Sequence, residues 1–260
     1  MSNSLELFNL SGRTAVVMGG TSGIGRTMAL GLAGAGADVV ATGRRRPLVD
    51  ATADEITKLG RKSVRCTVDA ADRQSIDKFR DTVLAELGRV DILVNAAGQT
   101  FRKATTEVSE EEWDQLFDVN LNGTLRACQS FYPALAASGH GRVINIASLT
   151  SYLGFMEVAA YATSKAGVLG LTRCLAVEWA PKNIRVNAIA PGVFRTDLNS
   201  GLLDGTARGK ELLLRTPMQR FGQLPELVGA TILLASDAAS FITGQCLGVD
   251  GGFLASGVNQ

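Results

Sequence analysis

Tyr161 and Lys165 stand in a Tyr-Ala-Thr-Ser-Lys run, with Ser148 thirteen residues upstream. If the run is helical, Tyr161 and Lys165 are four residues apart and share one helix face. An ammonium beside a phenol favours the phenolate and lowers the Tyr pKa from its reference near ~10. A Tyr tuned in that way exchanges a proton with a substrate oxygen near neutral pH. Ser148 follows the apolar run Val143-Ile144-Asn145-Ile146-Ala147, which reads as a buried strand. Its hydroxyl then lies at the C-terminal end of a strand, where open α/β sheets bind ligands. A Tyr-x-x-x-Lys pair also arises by chance on surface helices, so the surrounding elements decide its meaning.

Those elements alternate along the whole chain. Residues 14–18, 38–42, 63–68, 91–95, 142–147, 184–190 and 246–249 read as strands. Residues 23–34, 47–59, 72–87, 110–137, 159–179 and 224–234 read as helices, and 196–216 is less regular. Such alternation with apolar strands predicts a parallel, doubly wound sheet covered on both faces. No linker, repeat or composition break interrupts it, so residues 1–260 read as one domain.

The composition excludes several classes. With 46% hydrophobic and 20% charged residues, the chain reads as globular. A net charge of +1 argues against a dedicated nucleic-acid or membrane-surface binder. Cys66, Cys128, Cys174 and Cys246 are far apart, which suggests neither a disulfide framework nor a zinc site. They read as small buried hydrophobes in a reducing, cytoplasmic compartment. His140 is the only histidine and lies in a probable turn, leaving little material for a His-based metal site or a Ser-His-Asp triad. No signal peptide is visible, and no apolar stretch reaches the ~18 residues of a membrane span.

Between the first strand and first helix stands Gly19-Gly20-Thr21-Ser22-Gly23-Ile24-Gly25. A glycine-rich turn lets backbone approach a pyrophosphate, and the helix N-terminus adds N–H groups and a favourable dipole. Its Gly19-x-x-x-Gly23-x-Gly25 spacing differs from the G-x-G-x-x-G fingerprint. Asp69-Ala70 ends the third strand; Asp69 can accept from an adenine amino group or cap a helix. Asn95-Ala96-Ala97-Gly98 ends the fourth, with small residues where a cofactor passes closely or a turn forms.

Jointly these residues resemble the short-chain dehydrogenase/reductase family over nearly the whole chain. The resemblance rests on the Gly19–Gly25 turn, Asp69, Asn95-Ala-Ala-Gly98, Asn120, Ser148, Tyr161-x-x-x-Lys165 and Pro191-Gly192. It implies a single doubly wound domain with a seven-stranded parallel sheet, and mostly tetrameric or dimeric assemblies; a homotetramer is expected. Tyr161 would be the general acid in ketone reduction and the base in alcohol oxidation. Lys165 would lower the Tyr161 pKa and hold the nicotinamide ribose. Ser148 would bind the substrate oxygen and steady its developing charge. Asn120 would position a water beside the Lys and complete a proton relay, and an Asn within a helix fits a functional kink. Pro191-Gly192-Val193-Phe194, with Thr196, resembles the segment that lines the nicotinamide. The family usually has Thr where Met18 stands and a second Asn where Ala96 stands.

NAD enzymes typically place an acid at the end of the second strand. Here Gly43-Arg44-Arg45-Arg46 follows that strand, so NADP is expected, with Arg44 the main 2′-phosphate contact and Arg45 second. The alternatives are a solvated basic loop and NAD. A substrate loop spans about 195–220, and its charges suit a small polar substrate or a solvated face. Glu157, on a pocket wall from Ser148 to Tyr161, can bind a substrate hydroxyl or face solvent. The C-terminal half looks most similar to sugar-acid and polyol dehydrogenases of the gluconate 5-dehydrogenase type, through Glu178-Trp-Ala180, Arg185–Gly192 and Val249–Leu254. Alternatives are a 3-oxoacyl-acyl-carrier-protein reductase and a non-catalytic dinucleotide-binding sensor or scaffold.

Overall fold

Strands buried along nearly their whole length, as five of these are, must be covered on both faces, and the fold supplies that cover. The computed structural model describes residues 4–195 and 200–259. Strands β1 (Thr14–Met18), β2 (Asp38–Thr42), β3 (Ile92–Asn95), β4 (Arg142–Ile146), β5 (Arg185–Pro191) and β6 (Cys246–Val249) form one parallel sheet. Their spatial order is β2-β1-β3-β4-β5-β6. The order reverses between β1 and β3, which opens a crevice at the C-terminal ends of those two strands.

Side chains alternate across the sheet. Ala15, Val17, Val39 and Ile144 meet Met28 and Leu32 of α1 (Gly23–Gly34) and Leu234 of α9 (Val228–Ala235). Val16, Met18, Leu93 and Val143 face the opposite way. They meet Phe79 of α3 (Arg73–Leu87), Phe131 of α5 (Gly123–Ala137) and Leu175 of α6 (Ala159–Trp179). Helices α2 (Arg46–Lys58), α4 (Glu110–Phe117), α7 (Ser200–Leu203) and α8 (Ala207–Arg215) complete the set among the described residues. Local chemistry sets their ends. Asp72 caps α3 through the Gln74 N–H at 2.8 Å, and Gly88 ends it in the left-handed region. Ser109 and Glu112 close a capping box on α4. None of these helices is long and apolar enough to cross a membrane.

Two expectations are corrected. The sheet has six strands, not seven, because residues 63–68 do not form a ladder. They run beside β2, joined by Val39 N–H to the Lys62 carbonyl and Val68 N–H to the Gly43 carbonyl. In between, the Cys66 carbonyl accepts from the Thr42 hydroxyl at 2.6 Å, so a side chain takes the place of a backbone rung. The expected helix over 110–137 is interrupted by a π-helical turn, Asp118–Asn122, between α4 and α5.

Candidate active site

The π turn explains where Asn120 points. Its wider ring bonds Gly123 N–H to the Asp118 carbonyl, five residues back, and turns Asn120 inward. Asn120 is 0% exposed. Its Oδ1 accepts from Gln99 N–H at 2.8 Å, and its Nδ2 donates to the Gln99 carbonyl at 2.9 Å and to Ser164 Oγ at 3.2 Å. Ser164 in turn donates to the Tyr161 carbonyl at 2.8 Å. The side chain of Asn120 therefore joins the loop after β3 to the first two turns of α6, which carry Tyr161 and Lys165.

Ser148 stands just beyond β4 and caps a short 3₁₀ turn, Leu149–Ser151. Its Oγ accepts from Thr150 N–H at 3.1 Å, while its own N–H goes to Ser151 Oγ at 3.2 Å. Ser151 then donates to the Lys165 carbonyl at 2.9 Å. Ser148 is held in one orientation by these bonds, and its side chain is hydrogen-bonded with Tyr161. A deeper network steadies the floor beneath. Asn95 Nδ2 donates to Asn145 Oδ1 at 2.9 Å, and Asn145 Nδ2 donates to Thr172 Oγ1 at 2.9 Å, linking β3, β4 and α6.

Lys165 is almost fully buried, and its ammonium donates to the Ile146 carbonyl at 2.7 Å. Burial pulls its pKa down to about 8. It lies over the Tyr161 ring, 5.8 Å from the centroid. The expected depression of the Tyr161 pKa is reversed. Burial raises it, and the hydrogen bond with Ser148 offsets only part of that rise. The ammonium is aimed at a backbone carbonyl, so the desolvated phenol stays protonated.

The glycine turn sits against the same crevice. Gly19 has φ +73, and a Cβ there would lie 2.6 Å from Ala97 Cα. A Cβ on Gly25 would lie 2.2 Å from the Gly19 carbonyl oxygen. Only glycine lets this turn fold tightly against the β3 loop and open onto the N-terminus of α1. Ser22 is the N-cap residue but makes no capping bond, so the first N–H groups of α1 remain available for an anion. Thr21 is buried beside Gly43, Gly23 opens α1, and Ile24 packs on the core. A Cβ on Gly98 would meet Asn120 Oδ1 at 3.4 Å and Lys165 Nζ at 3.6 Å, so the crevice runs from the turn to the buried pair. Such a cradle fits a dinucleotide.

The three arginines after β2 are not equivalent. Arg46 is held by Asp50 at 2.9 Å. Arg45 donates to Ser22 Oγ at 3.2 Å, which places its guanidinium beside the glycine turn. Arg44 is exposed and has no ion-pair partner among the described residues. Asp69 closes a local turn through Ala71 N–H at 3.0 Å, and Ala70 packs against Gly123. The cap of α3 is Asp72, not Asp69. At the end of β5, Gly192 N–H binds the Val249 carbonyl at 2.8 Å. Val193 packs with Phe253, and the Phe194 ring is buried against Gly222. Thr196 lies outside the described residues. The Asn95 side chain faces into the sheet, so at this loop only the Ala96-Ala97-Gly98 backbone borders the crevice. Gln99, Ser151 and Ser164 escaped the sequence reading. Ser164, next to Lys165 in the Tyr-Ala-Thr-Ser-Lys run, was the one with a visible signal.

Comparison with known proteins agrees with this geometry. Residues 19–254 match the family model described as enoyl-(acyl carrier protein) reductase. The 2-dehydro-3-deoxy-D-gluconate 5-dehydrogenase of Escherichia coli K12 is 40% identical over 96% of this chain and 99% of that protein. The gluconate 5-dehydrogenase of Burkholderia cenocepacia J2315, solved with NADP and tartrate, is 38% identical with a TM-score of 0.94, covering 98% of this chain and 100% of that one. A gluconate 5-dehydrogenase of Beutenbergia cavernae, described as NAD(P)-dependent and solved with NADP at low occupancy, is 44% identical with a TM-score of 0.91, covering 96% and 100%. The fold, the site and these likenesses together make the chain an oxidoreductase of the short-chain dehydrogenase/reductase family.

Proposed function

We propose that this protein interconverts a secondary alcohol and a ketone on a sugar acid or similar small polar substrate, with NADP as the hydride carrier. The convergence of Tyr161, Ser148, Lys165 and Asn120 beside the glycine turn carries the reading. A bound nicotinamide supplies or accepts the hydride. The Gly19–Gly25 turn and the N-terminus of α1 would hold the pyrophosphate of such a cofactor, and Arg44 and Arg45 would meet its 2′-phosphate. The end of β2 carries no carboxylate to oppose that phosphate.

In ketone reduction Tyr161 donates its phenolic proton to the substrate oxygen. Ser148 donates a hydrogen bond to the same oxygen and stabilises the charge that develops there. Lys165, with its pKa near 8, exchanges its proton close to neutral pH and restores the proton on the Tyr161 side. Asn120 keeps the Gln99 loop and the α6 turn in register, so the relay stays assembled. The crevice rim is rich in charge. Arg102 pairs with Glu157, Lys103 with Glu112 and Arg195 with Asp204, which suits a small polar substrate better than a long acyl chain.

Oxidised and reduced nicotinamides would be screened with sugar acids, polyols, sugars and β-ketoacyl esters, following nicotinamide absorbance. Sugar acids with NADP are expected to give the highest kcat/KM. A preference for β-ketoacyl esters would replace this reading with the carrier-protein reductase. A homotetramer is also proposed. The edge strand β6 is half-exposed, Phe241 beside it is fully exposed, and Val177 projects from α6 at 78% exposure. A monomeric mass by light scattering would contradict it. The four thiols are unpaired, which suits a cytoplasmic setting.

A further inference from the structure

The sheet ladder stops one residue short of Ser148. Ala147 N–H still binds the Ile189 carbonyl of β5 at 2.8 Å. Ser148 keeps an extended backbone, with φ −161 and ψ 165, but its N–H takes a side chain in place of a ladder partner. That partner is Ser151 Oγ at 3.2 Å. The Ser148 carbonyl accepts from Ser151 N–H at 3.0 Å, so both main-chain groups of Ser148 close on one residue. No rung of the sheet fixes the residue that meets the substrate oxygen; the half-buried Ser151 does.

A reciprocal cap needs only the acceptor oxygen of Ser151. Its proton goes further, to the Lys165 carbonyl at 2.9 Å, 14 residues along the chain. Lys165 lies inside α6, where a carbonyl already receives the N–H four residues on. The bond from Ser151 falls on the second lone pair, so it is not required to satisfy the helix. Lys165 grips the same stretch with its ammonium, which donates to the Ile146 carbonyl at 2.7 Å. That grip uses the group assigned to proton exchange, whereas the Ser151 bond is independent of the charge on Lys165. Asn120 braces α6 from the other side, but its side-chain bonds reach Gln99 and Ser164, not Ser148.

We propose that Ser151 is a positioning residue for the reaction: its hydroxyl sets Ser148, the donor to the substrate oxygen, against the turns of α6 that carry Tyr161 and Lys165. It acts through Ser148 and Lys165, not on the reacting atoms. The chain from Ser148 N–H through Ser151 O–H to the Lys165 carbonyl runs in one direction, so each bond polarises the next. What it protects is the hydrogen bond between Ser148 and Tyr161. Tyr161 meets Ser148 from beyond β4 and Lys165 from its own helix, with the ammonium 5.8 Å from the ring centroid. Of these two, Ser148 offsets the burial that holds the proton on the phenol. A Ser148 that drifts from its place gives up that offset, and Tyr161 then keeps its proton to higher pH.

This inference rests on the catalytic roles given to Ser148 and Tyr161, not on the identity of the substrate. Ser151→Ala, Ser151→Thr and Tyr161→Phe would be compared with wild type, using NADP and the best alcohol from the screen of sugar acids and polyols. The readouts are kcat, KM, the pH profile of kcat, and NADPH affinity by fluorescence titration. Ser151→Ala is expected to lose about tenfold or more in kcat, with KM and NADPH affinity within about threefold. In alcohol oxidation the phenol must lose its proton to act as the base, so the alkaline rise of kcat should move up by about half a pH unit or more. Ser151→Thr keeps the hydroxyl and should stay within about threefold of wild type, with the profile in place. If Ser151→Ala lowers Tm but leaves kcat and the pH profile unchanged, Ser151 is a turn cap and the proposal is overturned. Equal losses in the alanine and threonine variants would also overturn it, because the hydroxyl would not be what matters. Should Ser151→Ala fail to fold, Ser151→Cys, similar in shape with a weaker donor, replaces it, and the same movement of the pH profile decides. Retained turnover in Tyr161→Phe would remove the site reading and this inference with it. An inactive Tyr161→Phe beside an unaffected Ser151→Ala would remove this inference alone.

Discussion

Replacing Asn120 by alanine tests whether the π turn serves the chemistry or only the fold. The substitution removes three hydrogen bonds, two to the Gln99 backbone and one to Ser164. At about 1 kcal/mol net each, the loss is about 3 kcal/mol. Gln99 is exposed and can recruit water for its freed groups, which lowers the expected cost to about 2 kcal/mol. For a domain of this size that is a Tm drop of about 4–8 °C, measurable by scanning calorimetry. The fold should survive, since the core clusters on both sheet faces are untouched. Turnover should fall much further than stability. Asn120 sets the position of the Gln99 loop against Lys165 and of Ser164 against Tyr161, and a misplaced proton donor costs about 10²-fold or more in kcat. Stopped-flow or steady-state assays at a temperature well below both Tm values would separate the two effects. If kcat stayed within about threefold of wild type while Tm fell as expected, Asn120 would be a structural residue only. The relay would then have to be abandoned.

Further outcomes follow from the same geometry. Tyr161→Phe should keep Tm while kcat falls about 10²- to 10⁴-fold, the span of a lost general acid, and retained turnover would refute the mechanism. Lys165→Met should abolish a pH dependence of stability. The folded pKa of about 8 lies below the usual 10.5, so the unfolded chain binds the extra proton between those values and wild-type stability rises with pH across that window. Below about pH 8 both states carry the proton and the cost is constant. Denaturation at about pH 7.5 and about pH 9.5 should show wild type gaining roughly 2 kcal/mol relative to the methionine variant, and parallel curves would argue against a desolvated ammonium. Arg44→Glu and Arg45→Glu should each lower the NADP-to-NAD ratio of kcat/KM, by about 10-fold or more for a lost charge-assisted contact of at least ~1.4 kcal/mol. A larger effect at Arg45 would indicate that its bond to Ser22 positions it first, and no effect at either would make the loop a solvated one.

Much of the frame was legible locally. Thr14–Met18 and Ala159–Trp179 have the bounds their periodicity predicts, because strand alternation and helix patterning depend on short stretches of chain. Residues 63–68 were not readable in the same way. Their alternating pattern suits an edge strand, but whether backbone or side-chain partners satisfy it depends on where β2 lies. The break at Asp118–Asn122 was hinted at by an Asn in a helical run, yet its π geometry is a matter of five-residue hydrogen bonding that composition does not encode.

Tyr161, Lys165, Ser148 and the Gly19–Gly25 turn were determined by the sequence alone, since spacing places the first two on one helix face and the others at strand ends. Tertiary structure decided their electrostatics. Burial raises the Tyr161 pKa and lowers that of Lys165, and the ammonium turns to the Ile146 carbonyl, all of which depend on what packs above the helix. It also decided that Arg46 is engaged by Asp50 while Arg45 reaches Ser22, and that Arg102 meets Glu157 across 55 residues of chain. Reactive residue types are a property of the chain, whereas charge state and pairing are properties of the space the folded chain encloses.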